Sequence, residues 1–384
     1  MASLVERNEA GLVDTRRCRG QRGGRGHDYG SRLRPTVQVV PVRAAGGVSA
    51  KMRQGGNSGA EFGEPKVIDW LLEEDQPSVR YCTLVDLLGR KDDDPEARTA
   101  RRRIARLGWA HEMLRTQKPQ GFWEAHEPRT VRAWVGFLYF PAYVSSIWRG
   151  IVLADLGMTA SDPRIRRLAE RIFEYKLALS SPINLFTEEV CSVGNIARML
   201  TRFGYGEDRR VRKLFAWMLE DQREDGGWNC APDRPGTLDS WEALAALAVV
   251  PREKRSAAME RAIERGAEFY LDRKLFEEGR RYAPWFRFHY PTHYYYDLLV
   301  GLDMITKVGY AHDRRLRPAL RILREKRRSD GTWVLDRVHP DVGPGIGYGW
   351  LKKVKQFTLE SPGRPSKWIT LTALRVLKRV ENAG

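Results

Sequence analysis

Apolar residues recur three and seven positions apart in four segments of the chain, and each segment begins with an aspartate. The segments start at Asp94, Asp162, Asp208 and Asp313. In the second segment, Ile165, Leu168 and Ile172 fall on one side of a helix, and arginines occupy much of the opposite side. An aspartate carboxylate accepts the free backbone N–H groups of a first helical turn. The pattern therefore predicts N-capped amphipathic helices with one buried stripe and one solvated, arginine-rich face.

Between these segments lie stretches that are richer in aromatic and small residues. They cover residues 142–156, 187–203, 238–249, 292–308 and 367–380. Together with an N-terminal pair that begins at Pro65 and Pro77, the two kinds of segment make about twelve helices in alternation. Such alternation predicts an all-α fold of two concentric rings, an (α/α)6 toroid of helical hairpins over residues 63–384.

The ends of the amphipathic helices also repeat. Asp208 lies 14 residues before Gln222 and 20 residues before Trp228. The segment from Asp313 to Trp333 has the same two offsets, and a looser copy of its end runs from Gln117 to Trp123. A fixed offset of this kind is typical of repeated supersecondary units.

Composition adds a basic N-terminal tail to this picture. The chain has 384 residues, 42% of them hydrophobic, and a net charge of +17. Residues 1–60 hold 11 Lys and Arg against 4 Asp and Glu, a net +7 of that total. Residues 1–62 are rich in Gly and Arg and show no apolar period, so we expect a disordered tail. An RNA-binding tail and a true start at Met52 are the alternatives, and no specific nucleic acid is expected as a partner.

The cysteines and the uncharged runs bear on location. Cys18, Cys82, Cys191 and Cys230 form no pair with metal-type spacing, and the start of the chain has no signal-peptide pattern, so we expect a cytoplasmic protein with reduced thiols. The longest uncharged run, 133–148, is too short to span a membrane. A peripheral membrane contact through aromatic residues stays open.

The repeated helix ends carry a family resemblance. Gln117…Gly121…Trp123 and Gln222…Gly226…Trp228 resemble the QW motif of squalene–hopene and oxidosqualene cyclases, and the segment from Arg327 to Trp333 is similar to a degenerate copy. Residues 65–380 resemble the terpenoid cyclase and protein prenyltransferase toroid superfamily. The resemblance implies that the motif joins outer helices, and that an isoprenoid-like hydrophobic molecule binds in a central cavity.

The chemistry of that superfamily transfers only in part. The aspartate run Asp92–Asp94 sits at a helix N-cap, so the acid motif of the class II cyclases has no counterpart. In protein prenyltransferases a Gly-Gly turn leads to a zinc-binding aspartate, a place that Asp239 takes here. Trp241 stands at the position of their cysteine ligand and Tyr294 near that of their histidine. We therefore expect neither zinc nor another cofactor, unless Cys191 or Cys230 serves a rearranged site.

Candidate site residues follow from the same segments. His289, His293 and Asp297 are spaced four apart, and a helix opened by Pro291 would place His293 and Asp297 on one face. The candidate catalytic residues are Asp239, His293 and Asp297, and the candidate ligand-binding residues are Trp148, Cys191, Trp241, His289, Tyr294 and Trp368. Each has a structural alternative, as a helix cap or as part of the core.

These observations favour a prenyltransferase-like or terpene cyclase-like protein that binds or transforms an isoprenoid-like ligand. One alternative is a toroid that acts as a non-catalytic binding or scaffold protein, as a central pocket without ionisable residues would indicate. Another is a carbohydrate-active (α/α)6 enzyme, which needs two opposed carboxylates about 5–10 Å apart. Whether the protein is an enzyme stays open at this point.

Overall fold

The computed structural model describes residues 65–124, 145–178, 189–231, 233–279, 282–293, 295–338 and 358–382, all of them within one compact unit, Gly59–Gly384. The described residues form α-helices, short 3₁₀ and π turns and two isolated β-bridges, with no β-strand among them, so the predicted all-α class is confirmed. The α-helices are α1 (Pro65–Leu71), α2 (Pro77–Cys82), α3 (Pro95–Arg103), α4 (Gly108–Leu114), α5 (Ser146–Asp155), α6 (Pro163–Ala178), α7 (Val190–Leu200), α8 (Arg209–Glu220), α9 (Glu242–Ala248), α10 (Ala257–Asp272), α11 (Leu298–Ile305), α12 (Arg317–Glu325) and α13 (Lys367–Asn382).

The four predicted aspartate caps are confirmed. Each carboxylate accepts the backbone N–H of the residue two positions later, in Asp94, Asp162, Asp208 and Asp313. In the last three, an arginine at that same position turns back and pairs with the capping carboxylate. The local sequence therefore defines the start of each of these helices without help from distant residues.

The turn after each of three helices has one repeated set of contacts. The indole N–H of Trp123, Trp228 and Trp333 donates to the carbonyl ten residues earlier, at 3.0, 2.8 and 2.8 Å. The Gln222 amide donates to the Gly226 carbonyl at 2.8 Å and to Ala262 of α10 at 2.9 Å. These contacts join the end of α8 to the next amphipathic helix.

Gly226 is required in that turn. Its φ of +87° lies in the left-handed region, and a Cβ there would come 2.4 Å from the Arg265 carbonyl oxygen of α10. A larger residue would push the two helices apart, which explains why glycine follows the glutamine at a fixed distance in the motif.

Helices of the aromatic-rich kind pack against one another in chain order. Contacts join α5 to α7, α7 to α9, α9 to α11 and α11 to α13. Each also contacts an amphipathic neighbour, as in the pairs α5–α6, α7–α8, α9–α10 and α11–α12.

The last helix returns to the first two. Lys367, at the start of α13, pairs with Glu73 and Asp75 at 2.6 and 3.1 Å, and Arg375 pairs with Asp86 in the turn that follows α2. The two ends of the described chain are thus held together by charge pairs as well as by apolar packing.

Two features of the fold bear on the predictions. Helix α11 begins at Leu298 and not near residue 292, because Asp297 caps it. Among the described residues no helix is both long enough and apolar enough to cross a membrane. The predicted tail, residues 1–62, lies outside the described residues.

Candidate functional site

A cavity of about 350 Å³ lies among α2, α5, α7, α9, α11 and α13. Its aromatic wall contains Trp241, Tyr290 and Trp368, and the last two rings stack with centroids 4.6 Å apart. His289 and Asp297 also line it. The volume lies within the range of small-molecule pockets, about 300–1,000 Å³.

The same cavity carries more cations than carboxylates. Six basic side chains line it, against four carboxylates. They are Arg101, Arg198, Arg202, Lys307, Arg375 and Arg379, against Asp86, Asp155, Asp297 and Asp303. The excess of positive charge in a partly enclosed space favours an anionic ligand group.

Three of those carboxylates are paired with an arginine, and Asp297 is paired with His289. Asp155 pairs with Arg198 at 3.2 Å and also with Arg202. Asp303 pairs with Arg379 at 2.7 Å. Burial acts to raise the pKa of Asp303, but the nearby cations outweigh it and lower that pKa to about 2. Asp303 is therefore ionised and engaged at neutral pH.

Lys307 differs from the arginines because no carboxylate among the described residues forms an ion pair with it. Its side chain is exposed and lines the cavity. Loss of hydration near the protein, and then repulsion by Arg202, Arg379 and Arg375, lower its pKa from 10.5 to about 7, although Asp303 acts in the opposite direction. A bound anion would stabilise the protonated ammonium.

Two of the cationic residues come from the C-terminal ends of aromatic-rich helices. Arg202 and Lys307 lie in π turns that extend α7 and α11, each closed by a glycine with positive φ. Their sequences are Thr201-RFGY and Thr306-KVGY. This repeated pattern, in which a basic residue follows a threonine, could have revealed the basic cluster.

The His–Asp pair of this site is not the predicted one. His289 Nδ1 lies 2.7 Å from Asp297 Oδ2, and the same oxygen accepts the His289 backbone N–H at 3.0 Å. The predicted helical face shared by His293 and Asp297 is wrong, because His293 precedes the helix and has a φ of +48°. The His293 carbonyl accepts a hydrogen bond from Asn195, and its ring lies against Trp148.

The other predicted site residues fall in several places. Asp239 is exposed, lies outside the cavity lining and accepts a 2.8 Å hydrogen bond from the Trp285 indole, so it is neither a cavity acid nor the cap of α9. Trp148 is buried beside His293 and not in the lining. Cys191 contacts Cys230. Tyr294 lies outside the described residues.

The residues do not fit the zinc site of the protein prenyltransferases. Trp241 fills the position of the cysteine ligand, and the guanidinium of Arg198 lies 5.2 Å from the centre of its ring. The positive charge of Arg198 there would repel a zinc ion. Within the described parts of the chain, no group of three or more His, Cys, Asp or Glu side chains is placed to hold a metal ion.

One buried carboxyl stands apart from the cavity. Glu242, at the start of α9, is fully buried, and neither of its carboxylate oxygens has a hydrogen-bond partner among the described residues. Burial, and then the nearby Cys230, raise its pKa well above the usual value of 4.5. A residue of this kind reduces the stability of the fold when it ionises.

Replacing Glu242 by glutamine is expected to stabilise the protein at alkaline pH. Folding raises the pKa of this carboxyl. The free energy of unfolding therefore has its full value below pH 4.5, where the carboxyl is protonated, and falls as the pH rises through the folded-state pKa. At pH 9, E242Q should increase the free energy of unfolding by about 1–3 kcal/mol, and at pH 5 by much less. Urea denaturation at both values measures the difference. Equal effects at the two pH values would contradict this account.

Comparison of the chain with protein-family models, with curated proteins and with solved structures found no match to any of them.

Proposed function

We propose that the protein binds, within an (α/α)6 toroid, an isoprenoid-like ligand that has a hydrophobic chain and an anionic head group. The observation that carries the proposal is the cavity, in which an aromatic wall adjoins six basic side chains and only four carboxylates. A ligand with only a hydrophobic chain would leave the excess positive charge uncompensated. A ligand that is only an anion would leave the aromatic wall without an apolar partner.

The order of helix contacts supports the toroid. Following α5, α7, α9, α11 and α13, each aromatic-rich helix contacts the next, and α13 contacts α2. Gly157, just after α5, faces the ring of Tyr81 in α2. Six inner helices with amphipathic neighbours outside them are what an (α/α)6 toroid requires, and a cavity at their centre is its usual ligand site.

The arrangement of the charges favours a phosphate-type head group over a carboxylate. Several guanidinium groups and one ammonium are grouped around one part of the cavity, and a group with many acceptor oxygens satisfies several of them at once. Lys307 is the clearest candidate for direct contact, because it forms no ion pair with a described carboxylate.

The two alternatives fit the cavity less well. A non-catalytic scaffold protein is expected to have a pocket without ionisable groups, whereas this cavity is lined by many of them. A carbohydrate-active enzyme needs one carboxyl that is protonated at neutral pH. Every lining carboxylate among the described residues is instead paired with an arginine or with His289. If the ligand is transformed, His289 is the group that we assign to proton transfer, with Asp297 holding its ring.

Direct titration tests the proposal. Farnesyl diphosphate should bind more tightly than either farnesol or inorganic pyrophosphate, as measured by calorimetry, because only this probe contacts both the aromatic wall and the cations. K307M should weaken its binding at pH 6.5 by at least about tenfold, the usual scale of one charged hydrogen bond. Equal affinities for farnesol and farnesyl diphosphate would refute the head-group site.

A matched control and the pH dependence sharpen the test. Lys213 is exposed on the outer face of α8, so K213M should leave the affinity unchanged. Because Lys307 loses its proton near pH 7, the affinity of the unmodified protein should fall as the pH rises from 6 to 9. That fall should be reduced in K307M. An unaltered pH profile in this variant would remove Lys307 from the site.

A further inference from the structure

Two cysteines from distant parts of the chain are in direct contact. Cys191 lies in the first turn of α7, and Cys230 lies in the loop between α8 and α9. The two sulfur atoms lie 3.0 Å apart, within hydrogen-bond distance. Both residues are half-buried.

The surroundings of this pair distinguish it from an isolated buried cysteine such as Cys82. The hydrogen bond with Cys191 lowers the pKa of Cys230, whereas the same hydrogen bond and then burial raise the pKa of Cys191. The Cys230 thiol therefore loses its proton more readily than the Cys191 thiol. This is the asymmetry that thiol–disulfide exchange uses.

The buried Glu242 carboxyl lies close enough to be coupled electrostatically to both thiols. Among the described residues, no three ligands are grouped for a metal ion. Formation of a disulfide is the chemistry that the direct contact of the two sulfur atoms favours.

We propose that Cys191 and Cys230 form a redox-active site, at which a small or protein disulfide converts the two thiols into a reversible intramolecular disulfide. The site goes beyond the ligand cavity, because neither cysteine lines that cavity.

The reaction is an exchange with a disulfide RSSR. The Cys230 thiolate attacks one sulfur of RSSR, a mixed disulfide forms and one RS⁻ leaves. The Cys191 sulfur then attacks Cys230, the protein disulfide forms and the second RS⁻ leaves. The two thiols lose two electrons and two protons in total, and RSSR is reduced to two RSH.

The new bond would connect the start of α7 to the loop that leads into α9. The two cysteines are 39 positions apart, so the bond closes a long loop and restricts the unfolded chain. Helix α7 carries Arg198, and the segment after the loop carries Trp241. Oxidation therefore fixes two elements that contribute to the cavity.

The experiment uses the full-length protein and glutathione disulfide as the oxidant. Peptide mapping under non-reducing conditions should recover a peptide pair that joins Cys191 to Cys230, and dithiothreitol should release it. The thermal midpoint of the oxidised protein should be a few degrees higher than that of the reduced form. In C191S, Cys230 should carry a glutathione adduct instead, because no second thiol can displace it.

C82S is the matched control, since Cys82 is buried in α2 and far from the pair in the chain; it should form the same disulfide at the same rate. The proposal is overturned if both Cys191 and Cys230 still react with iodoacetamide after saturating oxidant. It is equally overturned if native mass spectrometry finds a zinc ion that depends on both cysteines. The mapping result on the unmodified protein decides the matter even if C191S does not fold.

Discussion

Replacing Trp228 by alanine is expected to lower the free energy of unfolding by about 3–5 kcal/mol. The side chain is fully buried, and its ring packs against Gly266 of α10, so the substitution leaves a cavity between two helices. It also removes the 2.8 Å hydrogen bond to the Met218 carbonyl at the end of α8. Urea denaturation followed by circular dichroism measures the loss.

Trp217 provides the control for that prediction. It lies on α8, the helix that precedes the turn, is only half-buried and should cost much less when replaced by alanine. If W217A and W228A destabilise the protein equally, the turn has no special part in joining the helices. A loss near 3–5 kcal/mol in W228A alone would support the physical meaning that we give to the repeated tryptophan.

Replacing Asp297 by alanine is the second change for which we expect a large effect. Its carboxylate accepts hydrogen bonds from Val300 N–H at 2.9 Å, from His289 N–H at 3.0 Å and from His289 Nδ1 at 2.7 Å. Alanine leaves these buried donors without an acceptor, at about 1–3 kcal/mol each, partly relieved by relaxation. We expect D297A to lower the free energy of unfolding by about 3–5 kcal/mol.

D297N separates the two roles of Asp297. Its amide oxygen can still cap α11, so D297N should be less destabilising than D297A. A double-mutant cycle with H289A should show coupling between the two residues of about 1 kcal/mol or more, because they share a hydrogen bond. Strict additivity of H289A and D297A would indicate that the pair does not act as a unit.

Much of the fold could be predicted from local pattern. Asp94, Asp162, Asp208 and Asp313 were predicted as helix caps, and the structure confirms each one. A cap depends on one side chain and on the N–H groups within three residues of it, so sequence spacing determines it. Helix boundaries were less certain. The start of α11 was placed too early, since Asp297 caps the helix and His293 before it has a φ of +48°.

The candidate site was predicted only in part. Trp241, His289, Asp297 and Trp368 line the cavity as ligand-site residues should, whereas Asp239, Trp148, Cys191 and His293 do not. The basic cluster was missed altogether. Arginines on the amphipathic helices were assigned to the solvated face, but Arg101 of α3 lines the cavity. Arg202 and Arg375 lie in the aromatic-rich stretches, for which no basic cluster was predicted.

The sequence by itself determined the helical class, the helix starts and the repeated turn that ends in tryptophan, because each depends on contacts between residues close in the chain. Only the tertiary structure decided which charges face the cavity, that Asp297 pairs with His289 and not His293, and that Cys191 meets Cys230. Helical spacing shows which residues share a face. It does not show where that face points, because the packing of helices far apart in sequence fixes that direction.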